Sequence, residues 1–498
     1  MNVVVFAAYA TNTPHFETDL ELAHTHADAG DRVTILTCGG EMESCDPNPH
    51  HDPPRCAKCM GRRDCGLELL PPSIATERFY RLTDEDRDDL AELQTRFDNH
   101  DELKDLKAGE FDIGYAALSS LISATRDPEV DLAVHATPLR GMLRAAWTVH
   151  RSMCRYLDTH DVDRVYLFNG RFAPMRAVLR ACQERGVECF THERARDPSR
   201  YWLVQNTMSH DVRVMNGLIW DAWHAAGADS DREAVARAWY EARARSELKD
   251  GFNRDQSAGR LPSDWDEGKK NITIFVSSED EYAAISDDWK SLLYDSQIDG
   301  IHAIIDSLAD HPGDLHLYIR AHPNMALLDN VQTRAIARLD APFVTVIPPA
   351  DPADTYEMMR NSASVISFGS TTGIEAVYWG VPSILAARSM FRDFGVTYNP
   401  ATHEELIELL RRDLEPRPVE PALVYAYFWP QFGVPFKYFA SDGFYSGRFK
   451  GVRIRPTKAA LMRIGLLRLV DHRRVLRHIR RSATKRFRML ANKLRRNA

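Results

Sequence analysis

The sequence lacks a long apolar run, a basic N-terminal region and any excess of basic residues before its last segment. No stretch reaches the ~18 apolar residues that a membrane-spanning helix needs. Residues 1–10 are apolar without preceding basic residues, which indicates a buried strand and not a signal peptide, so we expect a cytoplasmic protein. With 44% hydrophobic and 27% charged residues, the 498-residue chain has the composition of a soluble globular protein, which excludes a mainly disordered or fibrous one.

Positive charge is concentrated in the last segment. The net charge is −8 overall, but residues 461–498 hold 13 Lys and Arg and one acid, so the first 460 residues carry −20. Apolar residues recur there at spacings of three and four, which predicts a basic amphipathic helix on an anionic membrane surface. Docking on the acidic body and nucleic-acid binding are the alternatives. The apolar positions are Leu476, Ile479, Ala483, Phe487, Leu490 and Leu494.

Cysteines are also unevenly placed. In a cytoplasmic chain a disulfide framework is not expected, whereas a Cys-x-x-Cys pair such as Cys56 and Cys59 can bind one metal ion. The surrounding residues are rich in Pro, Asn and Asp, so we predict a loop with a structural zinc or iron–sulfur site. A reduced cysteine loop and a redox disulfide are the other interpretations. The clustered cysteines are Cys38, Cys45, Cys56, Cys59 and Cys65.

Alternating strand and helix patterns predict an α/β protein with two domains. The predicted N-terminal elements are strands at 2–8, 32–37, 162–168 and 187–191, and helices at 17–29, 83–92, within 115–160 and at 173–185. The predicted C-terminal elements are strands at 271–276, 315–319, 343–346, 363–367 and 383–385, and helices at 297–309, 355–360 and 372–378. The predicted organisation is a first domain over 1–225, a helical and loop linker over 226–270, a second domain over 271–420, an aromatic-rich closing segment over 421–460 and the basic tail over 461–498.

Three polar segments follow strands of the second domain. The turn from Ser367 to Gly373 runs into a helix whose N-terminus, with hydroxyls from Ser370, Thr371 and Thr372, is suited to binding phosphate. Glu375, in the first turn of that helix, could receive ribose hydroxyls. The turn could instead simply cap the helix.

The second segment holds Arg320, His322 and Asn324, and the third holds Ser277, Ser278, Glu279 and Glu281. Ligands of parallel sheets bind beyond the carboxyl ends of strands, which makes these residues candidates for a ligand site. Arg320 could balance phosphate charge, and His322 could donate to a phosphate or assist the leaving group. A structural histidine and helix capping are the respective alternatives.

The stretch from Asp354 to Leu385, together with the upstream Arg-Ala-His-Pro-Asn, resembles bacterial GT-B glycosyltransferases of surface-carbohydrate and capsule biosynthesis. Segments of the N-terminal half also resemble this class. In the Kdo- and sialyltransferases of this group, a His-Pro motif and a Ser/Thr motif bind the sugar nucleotide. Here those motifs correspond to His322–Pro323 and Ser370–Thr372. The resemblance therefore implies a GT-B fold, two Rossmann-like domains facing across a cleft, and a nucleotide-sugar donor.

The same resemblance implies that the acceptor lies on the N-terminal domain. His15 or Glu17, after the first strand, would be the catalytic base, with Asn169, Arg171 and Glu193 on the acceptor side. No Asp-x-Asp motif lies near these positions, so we expect catalysis without an obligatory divalent ion.

The expected activity is transfer of a sugar to a growing surface polysaccharide or lipid-linked glycan at the inner face of the cytoplasmic membrane, a peripheral location in the cell envelope. A nucleotide-sugar epimerase or hydrolase on the same fold, and a non-catalytic metal-binding scaffold, are the alternatives.

Overall fold

The computed structural model describes residues 1–227, 230–248, 255–456 and 462. They form a seven-stranded mixed sheet, a five-stranded parallel sheet and a two-stranded hairpin, with helices packed against the two larger sheets. The strands are β1 (Asn2–Ala7), β2 (Arg32–Thr37), β3 (Ala75–Arg78), β4 (Arg164–Phe168), β5 (Glu188–Arg194), β6 (Arg200–Gln205), β7 (Lys270–Phe275), β8 (Leu315–Arg320), β9 (Val344–Ile347), β10 (Ser364–Ser367), β11 (Ser383–Leu385), β12 (Val434–Pro435), β13 (Phe439–Gly443) and β14 (Ser446–Phe449).

Helices connect most of these strands. The α-helices are α1 (His15–Asp28), α2 (Pro53–Leu67), α3 (Asp84–Glu92), α4 (His100–Asp105), α5 (Ile113–Thr125), α6 (Ala136–Thr159), α7 (Ala173–Arg185), α8 (Val212–Ala226), α9 (Arg232–Ala244), α10 (Gln297–Ala309), α11 (Val331–Ile336), α12 (Thr355–Arg360), α13 (Thr372–Tyr378), α14 (His403–Arg411) and α15 (Glu420–Gln431). Within the described residues, no helix combines the length and the apolarity needed to cross a bilayer.

The first sheet has the strand order β12-β6-β5-β4-β1-β2-β3. Its core strands β3, β2, β1, β4 and β5 are parallel, while β6 and β12 add an antiparallel edge. Strand β1 is almost wholly buried, as expected for a central strand covered by helices on both faces. The carboxyl ends of β1, β4 and β5 therefore lie side by side.

The second sheet has the order β11-β10-β7-β8-β9, and every pair is parallel. The register aligns Phe275 at the end of β7 with Ser367 of β10 and with Arg320 of β8. Three neighbouring strands thus end at one level, and the polar segments that follow them meet at one edge. The predicted α/β class with two Rossmann-like domains is confirmed.

The chain then returns to the first domain. Helix α15 packs against α8, α9 and α13, and Tyr425, Phe428 and Trp429 are buried there, so the helical part of the aromatic segment is core. Strand β12 pairs with β6. The hairpin of β13 and β14 contacts α1, where Glu21 accepts the backbone N–H groups of residues 437–439.

Several predicted boundaries are reproduced, including β2, α7, α10, α12, α13 and β11. The prediction of a cysteine loop is wrong for residues 53–67, which form α2. Pro53 and Pro54 occupy its first turn, where proline has no hydrogen bond to lose and its fixed φ suits a helix. Strand β5 continues to Arg194 because it pairs with β6, which the sequence reasoning did not include. The predicted basic helix of the tail lies outside the described residues, apart from Met462.

Candidate active site

The turn from Gly369 to Gly373 is tightly held between β10 and α13. Gly369 has φ +90°, and a Cβ there would lie 2.7 Å from the carbonyl oxygen of Arg388. A Cβ on Gly373 would lie 2.3 Å from Ser367 Oγ, so α13 packs closely on the end of β10. Within the described chain, the N–H groups of Ser370 and Thr371 have no protein acceptor. These two donors precede the helix and can serve an anion.

Hydrogen bonds within the turn and to Glu375 fix the hydroxyls of Ser370, Thr371 and Thr372. Thr372 donates through its N–H and its hydroxyl to Ser370 Oγ, at 3.3 and 2.9 Å. Thr371 Oγ1 donates to Glu375 over 3.0 Å. The carboxylate of Glu375 also accepts from Arg243 at 3.0 Å and from the hydroxyl of Tyr356, and the residue is buried. Glu375 therefore holds the turn in place, and its predicted contact with ribose hydroxyls stays a prediction.

His322 lies at the end of the neighbouring strand β8. Its Nδ1 accepts the N–H of Asn324 over 3.1 Å. Burial, reinforced by the positive charges of Arg320, Arg126 and Arg243, lowers the His322 pKa to about 4. The ring is therefore neutral at pH 7 and carries its hydrogen on Nε2, where it can donate to a phosphate oxygen.

Arg320 is buried and donates to the carbonyl oxygens of Pro348 and Asp351, at 2.7 and 3.1 Å. These contacts fix the chain after β9. Arg320 therefore contributes positive charge to the edge of the sheet, while its described hydrogen bonds are to backbone. Direct contact between Arg320 and a phosphate stays a prediction.

The segment after β7 completes this edge. Ser277 Oγ donates to the carbonyl of Phe368 at 3.3 Å, which joins it to the Ser/Thr turn. Asn324 Nδ2 donates to Glu281 at 2.5 Å, which joins the segment to the His-Pro turn. Burial raises the pKa of Glu279 to about 7. The predicted donor residues of the three segments therefore lie together.

Across from them, His15, Asn169 and Glu193 form a cluster at the ends of β1, β4 and β5. His15 Nδ1 lies 3.5 Å from Glu193 Oε1, and Asn169 Nδ2 donates to Glu193 Oε2 at 2.6 Å. Burial lowers the pKa of His15 to about 4, so the ring is neutral at pH 7 and can accept a proton. Glu193 therefore lies close enough to stabilise a protonated His15 ring, although His15 Nδ1 forms no hydrogen bond within the described residues.

Glu17 lies in a different environment from His15. It is buried and forms an ion pair with Arg62, and Thr13 donates to the same carboxylate oxygen at 3.1 Å. Arg62 also binds the carbonyl of Ala10. The ion pair gives Glu17 a structural role between α1 and α2, and the prediction that it acts as the base stays untested.

Two arginines connect the two clusters. Arg171, after β4, donates to the backbone carbonyl of Glu281. Arg126, the left-handed C-cap of α5, forms an ion pair with Asp280 and donates to Ser278 Oγ at 3.3 Å. The polar groups of both domains therefore face one cleft.

Sequence reasoning missed several charged groups of this cleft. Arg126 caps a helix and follows no strand, so strand-end reasoning could not find it. Arg243 belongs to the predicted linker, yet α9 carries it to Glu375. His210, whose pKa burial lowers to about 4, lies near Glu193 and Arg171. Asp46 of the cysteine region contacts Tyr9 over 3.0 Å.

The five clustered cysteines are divided by the fold. Cys38, Cys45, Cys56 and Cys59 line one pocket beside the ends of β1 and β2, whereas Cys65 packs against the cluster around α1. Among the described residues, the group of three possible metal ligands within 4.8 Å of one another is His150, Cys154 and Glu184, on α6 and α7. The predicted metal at the cysteines stays a prediction.

The family comparison matches mainly the second domain. Residues 250–426 match the family model of capsule polysaccharide biosynthesis proteins. This stretch contains all three polar segments of the donor edge. The match covers less than half of the chain and agrees with the resemblance of this stretch to proteins of capsule polysaccharide biosynthesis. No curated protein matches the chain.

Solved structures with a similar fold are distant. The beta Kdo 2,4 transferase of Thermosulfurimonas dismutans KpsC is 12% identical, with 61% of this chain and 87% of that chain covered and a TM-score of 0.37. Its beta Kdo 2,7 transferase is 14% identical, with 64% and 88% covered and a TM-score of 0.34. A UDP-GlcNAc 2-epimerase from Neisseria meningitidis, bound to UDP-GlcNAc, is 12% identical, with 86% and 97% covered and a TM-score of 0.29. Likenesses this distant say nothing about the donor or acceptor of this chain.

Proposed function

We propose that this protein is a GT-B glycosyltransferase that transfers a sugar from a nucleotide-sugar donor to a surface polysaccharide or lipid-linked glycan. The observation that carries the proposal is the match of residues 250–426 to capsule polysaccharide biosynthesis proteins, because these residues include the anion-suited turn at Ser370 and Thr371. The donor phosphates bind at this turn and beside His322. The sugar then points toward the cluster around His15.

In this proposal the transition state is stabilised without an obligatory divalent ion. Negative charge that develops on the leaving phosphate is balanced by the N–H groups of Ser370 and Thr371 and by Nε2–H of His322. His15 takes the proton of the acceptor hydroxyl, and Glu193 at 3.5 Å stabilises the resulting imidazolium. Closure around the cleft excludes water from the donor.

The donor site is tested by calorimetric titration with a panel of UDP-, GDP- and CMP-sugars. The double variant Ser370→Ala/Thr371→Ala keeps both backbone N–H donors but removes the hydroxyls that hold the turn, Ser370 bonded to Thr372 and Thr371 bonded to Glu375. It should therefore weaken binding of the preferred donor by about tenfold, the equivalent of about one lost hydrogen bond. Ser307→Ala, an exposed hydroxyl on α10 of the same domain, is the matched control and should bind normally. Unchanged affinity in the double variant would show that these hydroxyls neither bind the donor nor hold the N–H groups that bind it.

The reaction class is tested by incubating the protein with the bound donor in the absence of acceptor. A transferase leaves the donor sugar intact or hydrolyses it slowly, whereas clean conversion to the 2-epimer would replace our proposal by an epimerase. With acceptor supplied, His15→Gln should lower kcat by about 10²–10⁴-fold. His26→Gln, at the other end of α1 and bonded to Asp31, is its control.

Peripheral attachment to the cytoplasmic face of the membrane is also part of the proposal. It rests on the apolar stripe and 13 basic residues of segment 461–498. Deletion of this segment should release the protein from vesicles that contain anionic lipid. Retention of the shortened protein would contradict membrane binding by the tail.

A further inference from the structure

The pocket beside the ends of β1 and β2 is lined by four thiols from three segments of the chain. Cys38 follows β2, Cys45 belongs to the connection, and Cys56 and Cys59 lie on α2. Three consecutive segments within residues 38–59 thus present the same chemical group to one pocket.

The fold separates these four thiols from the fifth. Cys56 and Cys59 are three residues apart and share a face of α2, whereas Cys65, nine residues after Cys56, lies on the opposite face. Cys65 and Cys59 both pack with the apolar residues around Phe16, but of these two only Cys59 lines the pocket. The Cys-x-x-Cys pair is therefore completed by Cys38 and Cys45 and not by Cys65.

Three of the four sulfurs accept a hydrogen bond from nitrogen. Gly40 N–H donates to Cys38 Sγ, Ala10 N–H to Cys59 Sγ, and the Asn48 amide to Cys56 Sγ, each over 3.2 Å. Such donors stabilise negative sulfur, and hydrogen bonds to the sulfurs are a usual feature of thiolate-bound metal centres.

We propose that Cys38, Cys45, Cys56 and Cys59 form a four-thiolate site for a thiophilic metal centre. A tetrahedral zinc ion with Zn–S bonds of about 2.3 Å would place its sulfurs about 3.8 Å apart. Within the described residues, no three of these sulfurs lie within 4.8 Å of one another. A cubane iron–sulfur cluster holds its thiolates farther apart, because its iron atoms stand between them, so metal analysis distinguishes the two centres.

The centre would hold the connection after β2 against the end of β1. That connection carries Asp46, which accepts from the Tyr9 hydroxyl at 3.0 Å and lies near Arg171 of the cleft. The metal would therefore stabilise this part of the first domain, next to the proposed acceptor residues. The inference does not depend on glycosyl transfer.

The test is metal analysis and absorption spectroscopy of the full chain purified without oxygen. An iron–sulfur cluster should give about four iron and four sulfide per chain with a broad band near ~400 nm, and a zinc site about one zinc without colour. Either centre supports the four-thiolate site, and zinc would assign it to a single ion. A chain without metal, or with the thiols paired as disulfides, would overturn the proposal.

Two control positions locate the centre. Cys56→Ser and Cys59→Ser should each lose most of the metal, whereas Cys65→Ser on the same helix should keep it. Cys154→Ser tests the group on α6 and α7, and loss of the metal in that variant alone would place the centre there and refute our assignment.

Mapping of thiol alkylation on the unmodified protein needs no variant and covers the case in which the serine variants fail to fold. Cys38, Cys45, Cys56 and Cys59 should resist iodoacetamide until a chelator removes the metal, and should then react together. Equal reactivity before and after chelation would contradict the site.

Discussion

Replacement of Gly373 by alanine tests whether α13 packs on β10 as closely as the structure shows. The added Cβ would lie 2.3 Å from Ser367 Oγ, 3.1 Å from Ser367 Cβ and 3.3 Å from Phe391 Cζ. Ser367 and Phe391 are both buried, so neither side chain can move into solvent to make room for the added Cβ. The Ser367 hydroxyl also has no hydrogen-bond partner within the described residues. We expect overpacking to cost about 1–3 kcal/mol.

The matched control is Gly217→Ala in α8. Nothing lies within 4 Å of a Cβ built there, so this variant should gain up to about 1 kcal/mol from helix propensity. Urea denaturation of both variants should therefore show Gly373→Ala to be less stable than Gly217→Ala by about 1–3 kcal/mol. Both substitutions gain helix propensity, so this gain cancels in the difference between their free energies of unfolding.

A second substitution identifies the contact responsible. In Gly373→Ala/Ser367→Ala the shortest contact disappears and the 3.1 Å contact remains, so the double variant should recover part of the lost stability. Equal stability of Gly373→Ala and Gly217→Ala would refute the close packing of the turn. A double variant no more stable than Gly373→Ala would show that Ser367 is not the obstacle. Since the turn supplies the proposed phosphate donors, donor affinity should fall with Gly373→Ala as well.

Two further predictions concern buried charges. Burial raises the pKa of Glu279 to about 7, so the carboxyl stabilises the fold below its unfolded pKa near 4.5 and loses that contribution, up to about 3 kcal/mol, as the pH rises to 7. Urea denaturation at pH 5 and pH 8 should show a smaller pH-dependent loss in Glu279→Gln, and parallel curves would contradict the shift. Glu17→Ala, which leaves Arg62 buried without its carboxylate, should destabilise by about 3–5 kcal/mol, whereas Glu17→Gln/Arg62→Met should cost less. A double variant as unstable as Glu17→Ala would show that the unpaired charge is not the cause.

The predicted donor residues were found because parallel strands end at one edge. A buried apolar run such as β7, β8 or β10 can be recognised locally, and the polar residues after it must then appear at the carboxyl edge. The sequence could not predict which polar atoms of these residues already form hydrogen bonds within the protein. Glu375 is held by Arg243 from α9. The two residues are 132 positions apart in sequence, and no local sequence pattern predicts their contact.

In the cysteine region, local composition gave the wrong secondary structure. Its composition indicated a loop because proline and asparagine are common in turns. The segment is nevertheless helical from Pro53, because proline is compatible with the first turn and one face of α2 packs on α1. Burial by a tertiary neighbour outweighed local composition.

The sequence by itself determined the α/β class, several element boundaries and the chemical character of the strand-end segments, since these depend on periodicity and on residues close in the chain. Only the tertiary structure decided that Arg126 and Arg171 connect the two domains, that Glu17 is paired with Arg62, and that four of five cysteines share a pocket. Each of these facts depends on the distance between groups that do not neighbour one another in sequence. That distance is set by how sheets and helices pack, which no local pattern encodes.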